Sequence, residues 1–91
     1  MLDKESQAFL EELLITPSPT GYESMGQKVW REYVKKYSDK FESDAYGSVV
    51  AKIETNMDVA TIMLEAHADE IGMVVQHISY DGFITLNKLG G

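Results

Sequence analysis

Ile62-Met63-Leu64-Glu65-Ala66-His67-Ala68-Asp69-Glu70-Ile71-Gly72 is the stretch on which the reading of this chain turns. Residues 60–66 are almost wholly apolar, with no polar alternation, which predicts a strand in the interior of a sheet covered on both faces. Open α/β sheets place ligands at the carboxyl ends of such strands, so His67 and Asp69 become the residues to account for. At a strand end, an imidazole can take a metal through one ring nitrogen while a carboxylate two residues on fixes its tautomer. Taken alone, His67 reads first as a structural histidine hydrogen-bonded at the strand end. A closed zinc site needs four ligands, or three and a water, and this stretch offers fewer.

The amino-terminal half predicts helices. Asp3 can cap a first helix whose apolar stripe is Phe9, Leu10, Leu13 and Leu14, and Thr16-Pro17-Ser18-Pro19 stops it. Thr20-Gly21-Tyr22-Glu23 has capping-box spacing, which predicts that a second helix begins at Thr20. Its apolar face is Tyr22, Met25, Val29, Trp30, Tyr33, Val34 and Tyr37, and this aromatic stripe reads as core. Strands follow at Phe41–Asp44 and Ser48–Ile53, around a turn at Tyr46-Gly47, and then at Ala60–Ala66. The segment after Gly72 predicts a hairpin, Met73 to Ile78 and Phe83 to Leu86, around Asp81-Gly82. The fold class is α/β, two helices followed by mixed β-sheet strands, and the pattern at Gly90-Gly91 predicts more β structure beyond it.

Composition narrows the functions. Ninety-one residues allow one domain at most, with chain enough for a modest core. Eight basic against fifteen acidic residues give a net charge of −7, which opposes binding to nucleic acid or anionic lipid. With no cysteine, any metal must be held by imidazole and carboxylate. The start lacks the basic and apolar pattern of a leader, and no apolar run is long enough to span a bilayer, so the sequence reads as soluble and cytoplasmic.

Four segments in order carry a resemblance: Pro17-Ser18-Pro19-Thr20-Gly21-Tyr22-Glu23, Asp44-Ala45-Tyr46-Gly47-Ser48, Ala66-His67-Ala68-Asp69-Glu70-Ile71-Gly72, and Asp81-Gly82-Phe83 through Gly90-Gly91. Together they resemble the N-terminal quarter of the dinuclear-metal aminopeptidases of the glutamyl and tetrahedral aminopeptidase family, some of which carry endoglucanase labels. That resemblance implies that His67 ligates one of two divalent metal ions, zinc or cobalt. It places Asp69 in the catalytic set, supporting the site from behind the ligand. The bridging aspartate, general-base glutamate, further carboxylates and second histidine of that family match nothing within these 91 positions. Gly47-Ser48 stands where the family usually has Gly-Asn, and Ala68 where it commonly has methionine; neither is a ligand.

The resemblance also implies peptide substrates, a homo-oligomer, and a split in which residues 1–70 begin a catalytic domain and residues 71–91 begin a β-rich insertion. The 91-residue chain alone is expected to be inactive. Glu70 reads equally as a support of the site or as an exposed acid opening the next strand. His77, in an alternating strand with no acidic partner nearby, reads as a surface or interface residue, and Glu65 as one arm of a salt bridge. The alternative function is a non-catalytic binding or assembly module that pairs through its hairpin edge at 73–86.

Overall fold

A computed structural model describes all residues, 1–91. Helix α1 spans Lys4–Ile15, with the Asp3 carboxylate accepting from the Ser6 N–H at 2.7 Å as its cap. It ends where Thr16 folds back, its N–H and hydroxyl both donating to the Glu12 carbonyl at 3.1 and 2.7 Å, and Pro17 forbids another turn. Helix α2 spans Ser24–Val34 and closes in a single 3₁₀ turn, Lys35–Tyr37.

The second helix starts four residues later than the capping-box spacing predicts. The Tyr22 N–H donates to the Pro19 carbonyl at 2.8 Å, and Gly21 sits at φ 88°, so residues 19–22 form a type II β-turn. Glu23 does reach back, but to the Gly21 N–H at 2.6 Å. The Thr20 hydroxyl caps nothing in α2, whose first residue lies beyond the turn, and donates instead to Asp69, 49 positions along the chain.

Aromatic contacts join the helices. Phe9 of α1 stacks on Tyr33 of α2 with centroids 3.8 Å apart and rings 7° from parallel, and Tyr33 shares a hydrogen bond with Ser6 at 2.8 Å. Trp30 meets Phe41 edge-on at 6.4 Å, and Arg31 lies over the same Phe41 ring at 4.9 Å, which seats the first hairpin against α2. Of the stripe read as core, Val29, Trp30, Tyr33 and Val34 are half-buried and form the packing face, whereas Tyr22, Met25 and Tyr37 are exposed, and no apolar side chain is fully buried.

The strands form two separate antiparallel pairs. β1 (Lys40–Ser43) pairs with β2 (Val49–Lys52), in register from Lys40 opposite Lys52 to Ser43 opposite Val49. β3 (Gly72–Ile78) pairs with β4 (Ile84–Leu89), with a bulge between Val75 and His77 that leaves Gln76 unpaired. Both hairpins turn through three-residue loops of one design. Gly47 donates to the Asp44 carbonyl at 3.2 Å and Gly82 to the Ser79 carbonyl at 3.0 Å, and each glycine then takes φ near 90°, a region other residues avoid. Asp81-Gly82 is therefore part of a longer loop than a two-residue turn. The side chains of Asp44 and Ser79 complete the two loops, Asp44 accepting from the N–H groups of Tyr46 and Ser48 and Ser79 from that of Phe83.

Residues 60–66 do not form the interior strand expected of them. They run without a ladder partner, and Ile62 and Leu64 are 83% and 94% exposed. Such a strand exists only through hydrogen bonds to neighbours on both sides, and neither β-pair lies alongside it. The modest core foreseen from length is missing for the same reason. Extents of 66 × 32 × 18 Å and a radius of gyration of 17.8 Å, against roughly 13 Å for a compact domain of about this length, describe elements strung out rather than gathered.

Only Ser18 and Gly26 are buried, and they meet each other: a Cβ on Gly26 would collide with the Ser18 hydroxyl oxygen and lie 3.2 Å from its Cβ. Alanine normally favours a helix interior by about 1 kcal/mol over glycine. Here the clash outweighs that gain, and we expect Gly26→Ala to loosen α2 by roughly 1–3 kcal/mol, read as faster amide exchange, with Ser18→Ala restoring most of the loss. Exchange in Gly26→Ala as slow as in wild type would contradict this packing.

The Asp44 carboxyl is held below the usual range, chiefly by the Ser48 N–H and then by the other loop amides, so the folded hairpin favours the ionised form. Its contribution is complete above the ordinary aspartate value and is lost as pH falls through the lowered one. Amide shifts of Tyr46 and Ser48 should accordingly report hairpin opening on acidification below about pH 4, and Asp44→Asn should remove that dependence.

Candidate metal centre

The two ends of the site are 49 to 52 positions apart in sequence, and backbone bonds bring them together. Glu70 donates its N–H to the Ser18 carbonyl at 2.9 Å, and its own carbonyl accepts from the Thr20 N–H at 3.2 Å, forming a parallel bridge between Pro19 and Glu70. In that pattern the bonds of the bridging residue are made by its neighbours, so the N–H that Pro19 lacks is not needed. The Glu70 carboxylate adds a further tie, accepting from the Ser18 N–H at 3.0 Å. Glu70 is an exposed acid just before β3, as one of its two readings had it, and its carboxylate also ties the backbone that carries the site.

The second hairpin leaves from the same junction. A Cβ on Gly72 would lie 2.7 Å from the Pro19 Cβ, and one on Gly90 would lie 2.6 Å from the Thr20 hydroxyl oxygen, so the open end of the β3–β4 pair presses against the Pro19-Thr20 segment.

Asp69 spans two partners with its two carboxylate oxygens. One accepts from the Thr20 hydroxyl at 2.6 Å, and the other lies 3.1 Å from His67 Nδ1. The same ring nitrogen is 3.0 Å from the Asp69 carbonyl oxygen, so two acceptors face it and favour the tautomer with its proton on Nδ1. The Thr20 hydroxyl, followed by the His67 contact, holds the Asp69 carboxyl below its usual range. Asp69 is half-buried, with 35% of its side chain exposed, whereas the His67 ring is 86% exposed.

This arrangement leaves Nε2 as the imidazole's available donor atom. A metal-ligating histidine commonly gives its other ring N–H to a carboxylate or a carbonyl, and here both stand at hydrogen-bond distance from Nδ1. The donor set thus fits one imidazole ligand. No group of three or more histidine, aspartate or glutamate side chains converges anywhere in the chain, so a closed site is not built from these residues alone. His77 stands exposed on β3 opposite Thr85 and takes no part. Glu65 is exposed and makes no ion pair, so the salt bridge expected of a strand-buried carboxylate is not formed.

Thr20 and Ser18 are the contributors that sequence reasoning missed. Pro17-Ser18-Pro19-Thr20 carries strong local meanings, as a helix stop and a cap, and these concealed its long-range bonds. The only available signal was that this stretch and the histidine motif stood out together among the four segments of the resemblance.

The family of M42 glutamyl aminopeptidases matches this chain over residues 47–91. A lysyl aminopeptidase of Pyrococcus furiosus is 29% identical over 83 residues, covering 90% of this chain and 23% of that protein. Among solved structures, the TET aminopeptidase of the marine sediment archaeon Thaumarchaeota archaeon SCGC AB-539-E09 superposes with a TM-score of 0.85 at 33% identity, over 96% of this chain and 24% of that one. The chain spans about a quarter of the length of these relatives.

Proposed function

We propose, from the match of residues 47–91 to the M42 glutamyl aminopeptidase family and the likeness of nearly the whole chain to aminopeptidases, that this chain supplies the first metal ligand, His67, of a metal-dependent aminopeptidase that removes N-terminal residues from peptides. The observation that carries this reading is the Asp69 carboxylate and carbonyl facing His67 Nδ1, which turns Nε2 outward as a ligand atom. A pair of divalent ions, zinc or cobalt, would supply an activated water and polarise the scissile carbonyl.

Within these 91 residues the division of labour is plain. His67 offers Nε2, Asp69 accepts a hydrogen bond from the Nδ1–H and sets the ring's direction, and the Pro19–Glu70 bridge fixes the backbone from which both side chains project. The remaining ligands and the general base belong to the rest of the enzyme, so the 91 residues by themselves should not turn over substrate. We assign residues 1–70 to the catalytic domain and residues 71–91 to the start of the β insertion. The change of partner at Gly72, from the Pro19 segment to the antiparallel hairpin, supports that boundary. No helix is long and apolar enough to cross a membrane. A cytoplasmic homo-oligomer acting on peptides is the setting this reading gives.

In the longer protein, His67→Ala should lower metal content and remove nearly all aminopeptidase activity. Asp69→Asn should keep the metal but bind it about 10–100-fold more weakly. Elemental analysis alongside hydrolysis of aminoacyl anilides measures both, and the 91-residue chain with added zinc or cobalt should stay at background. Full metal content in His67→Ala would overturn the ligand assignment. Background activity throughout the longer protein would favour the module that pairs through the open edges of β3 and β4.

A further inference from the structure

We propose that Thr20 is a positioning residue for the His67 imidazole, acting through Asp69. The inference rests on the metal reading of His67, and its own geometry is a three-member chain. The Thr20 hydroxyl donates to one Asp69 oxygen at 2.6 Å, and the other oxygen lies 3.1 Å from His67 Nδ1. An ionised carboxylate only accepts, so the hydroxyl must be the donor, and this short bond to a charged acceptor belongs to the stronger class.

Three features hold the hydroxyl in place. The Thr20 N–H is bonded to the Glu70 carbonyl at 3.2 Å, which fixes the backbone on which the side chain stands. Gly90 closes over the hydroxyl, since even a methyl there would come within 2.6 Å of it. The type II turn at 19–22, closed by the Tyr22 N–H to the Pro19 carbonyl at 2.8 Å, sets the direction in which Thr20 leaves the helix break.

Asp69 needs this anchor because its own surroundings do not hold it. Its side chain is 35% exposed, and beyond His67 the only side chain bonded to its carboxylate is Thr20. Without the hydroxyl, the carboxylate is free to rotate toward solvent, leaving the Asp69 carbonyl at 3.0 Å as the remaining acceptor for the ring. The Nδ1–H tautomer then loses one of its two acceptors, and Nε2 is less consistently the free donor.

Long-range ¹H–¹⁵N spectra of the histidine side chains in the 91-residue chain, at alkaline pH and without metal, read the His67 tautomer directly. Wild type should be mainly Nδ1–H. Thr20→Val, which keeps the shape but removes the donor, should lower the Nδ1–H to Nε2–H ratio by about threefold or more, and Thr20→Ser should restore it. The amide shifts of β3 and β4 should stay in place, which separates positioning from a loss of fold. In the longer enzyme, zinc affinity should follow the same order, weaker in Thr20→Val and recovered in Thr20→Ser. A wild-type chain already in the Nε2–H form, or a ratio unchanged in Thr20→Val, would overturn the proposal. A ratio that moves as expected while His67→Ala keeps full metal content would support the positioning role and remove the metal reading alone.

Discussion

The bridge between Pro19 and Glu70 is the constraint on which the rest of the molecule depends. Around it lie four hydrogen bonds: Glu70 N–H to Ser18 carbonyl, Thr20 N–H to Glu70 carbonyl, Ser18 N–H to the Glu70 carboxylate, and Thr20 hydroxyl to the Asp69 carboxylate. Three parts of the chain meet at this point, and α1 and the first hairpin join it through α2. Helix α2 approaches it through Gly26 against Ser18, the second hairpin through Gly72 and Gly90 against Pro19 and Thr20, and the histidine motif through Asp69 and Glu70 themselves. In a chain with no fully buried apolar side chain, directional bonds at one crossing do the organising that a hydrophobic core does in compact domains.

Legibility in the sequence followed the range of the interaction. Asp3 as a cap, Pro17 as a stop, and glycines 47 and 82 in hairpin loops were all readable, because each is decided by atoms within about four residues. Local rules failed where a distant partner competed. Thr20 had the spacing of a helix cap, yet the chain turns tightly at 19–22 before α2 begins, and the hydroxyl is directed instead to the Asp69 carboxylate. Residues 60–66 failed differently. Their apolar pattern expresses what they would do between two other strands, and a strand's identity lies in its neighbours as much as in its own side chains.

His67 and Asp69 could be placed together from spacing, and the structure brings them to hydrogen-bond distance. The proposal that they form part of a metal site rests on resemblance, since one imidazole with one carboxylate is chemically open to a purely structural role. What the structure adds is polarity of arrangement: both acceptors face Nδ1, so the ring has a held side and a free side. That distinction has no signature in composition or periodicity.

The separation of the bonded partners along the chain also sets when this geometry can arise. The hairpin loop at 44–48 closes over four positions, whereas the Thr20–Asp69 bond closes over 49. Loop closure grows more unfavourable by about 0.6 kcal/mol per doubling of length, so the site begins roughly 2 kcal/mol behind the hairpins in chain entropy alone. Helices and hairpins can form early and independently, while the Thr20 bond that holds the Asp69 carboxylate beside His67 forms only once the distant segments have met. A newly made chain therefore carries an Asp69 carboxylate free to turn from the imidazole until its long-range order is in place, and His67 is held from both sides only when the Thr20 segment arrives.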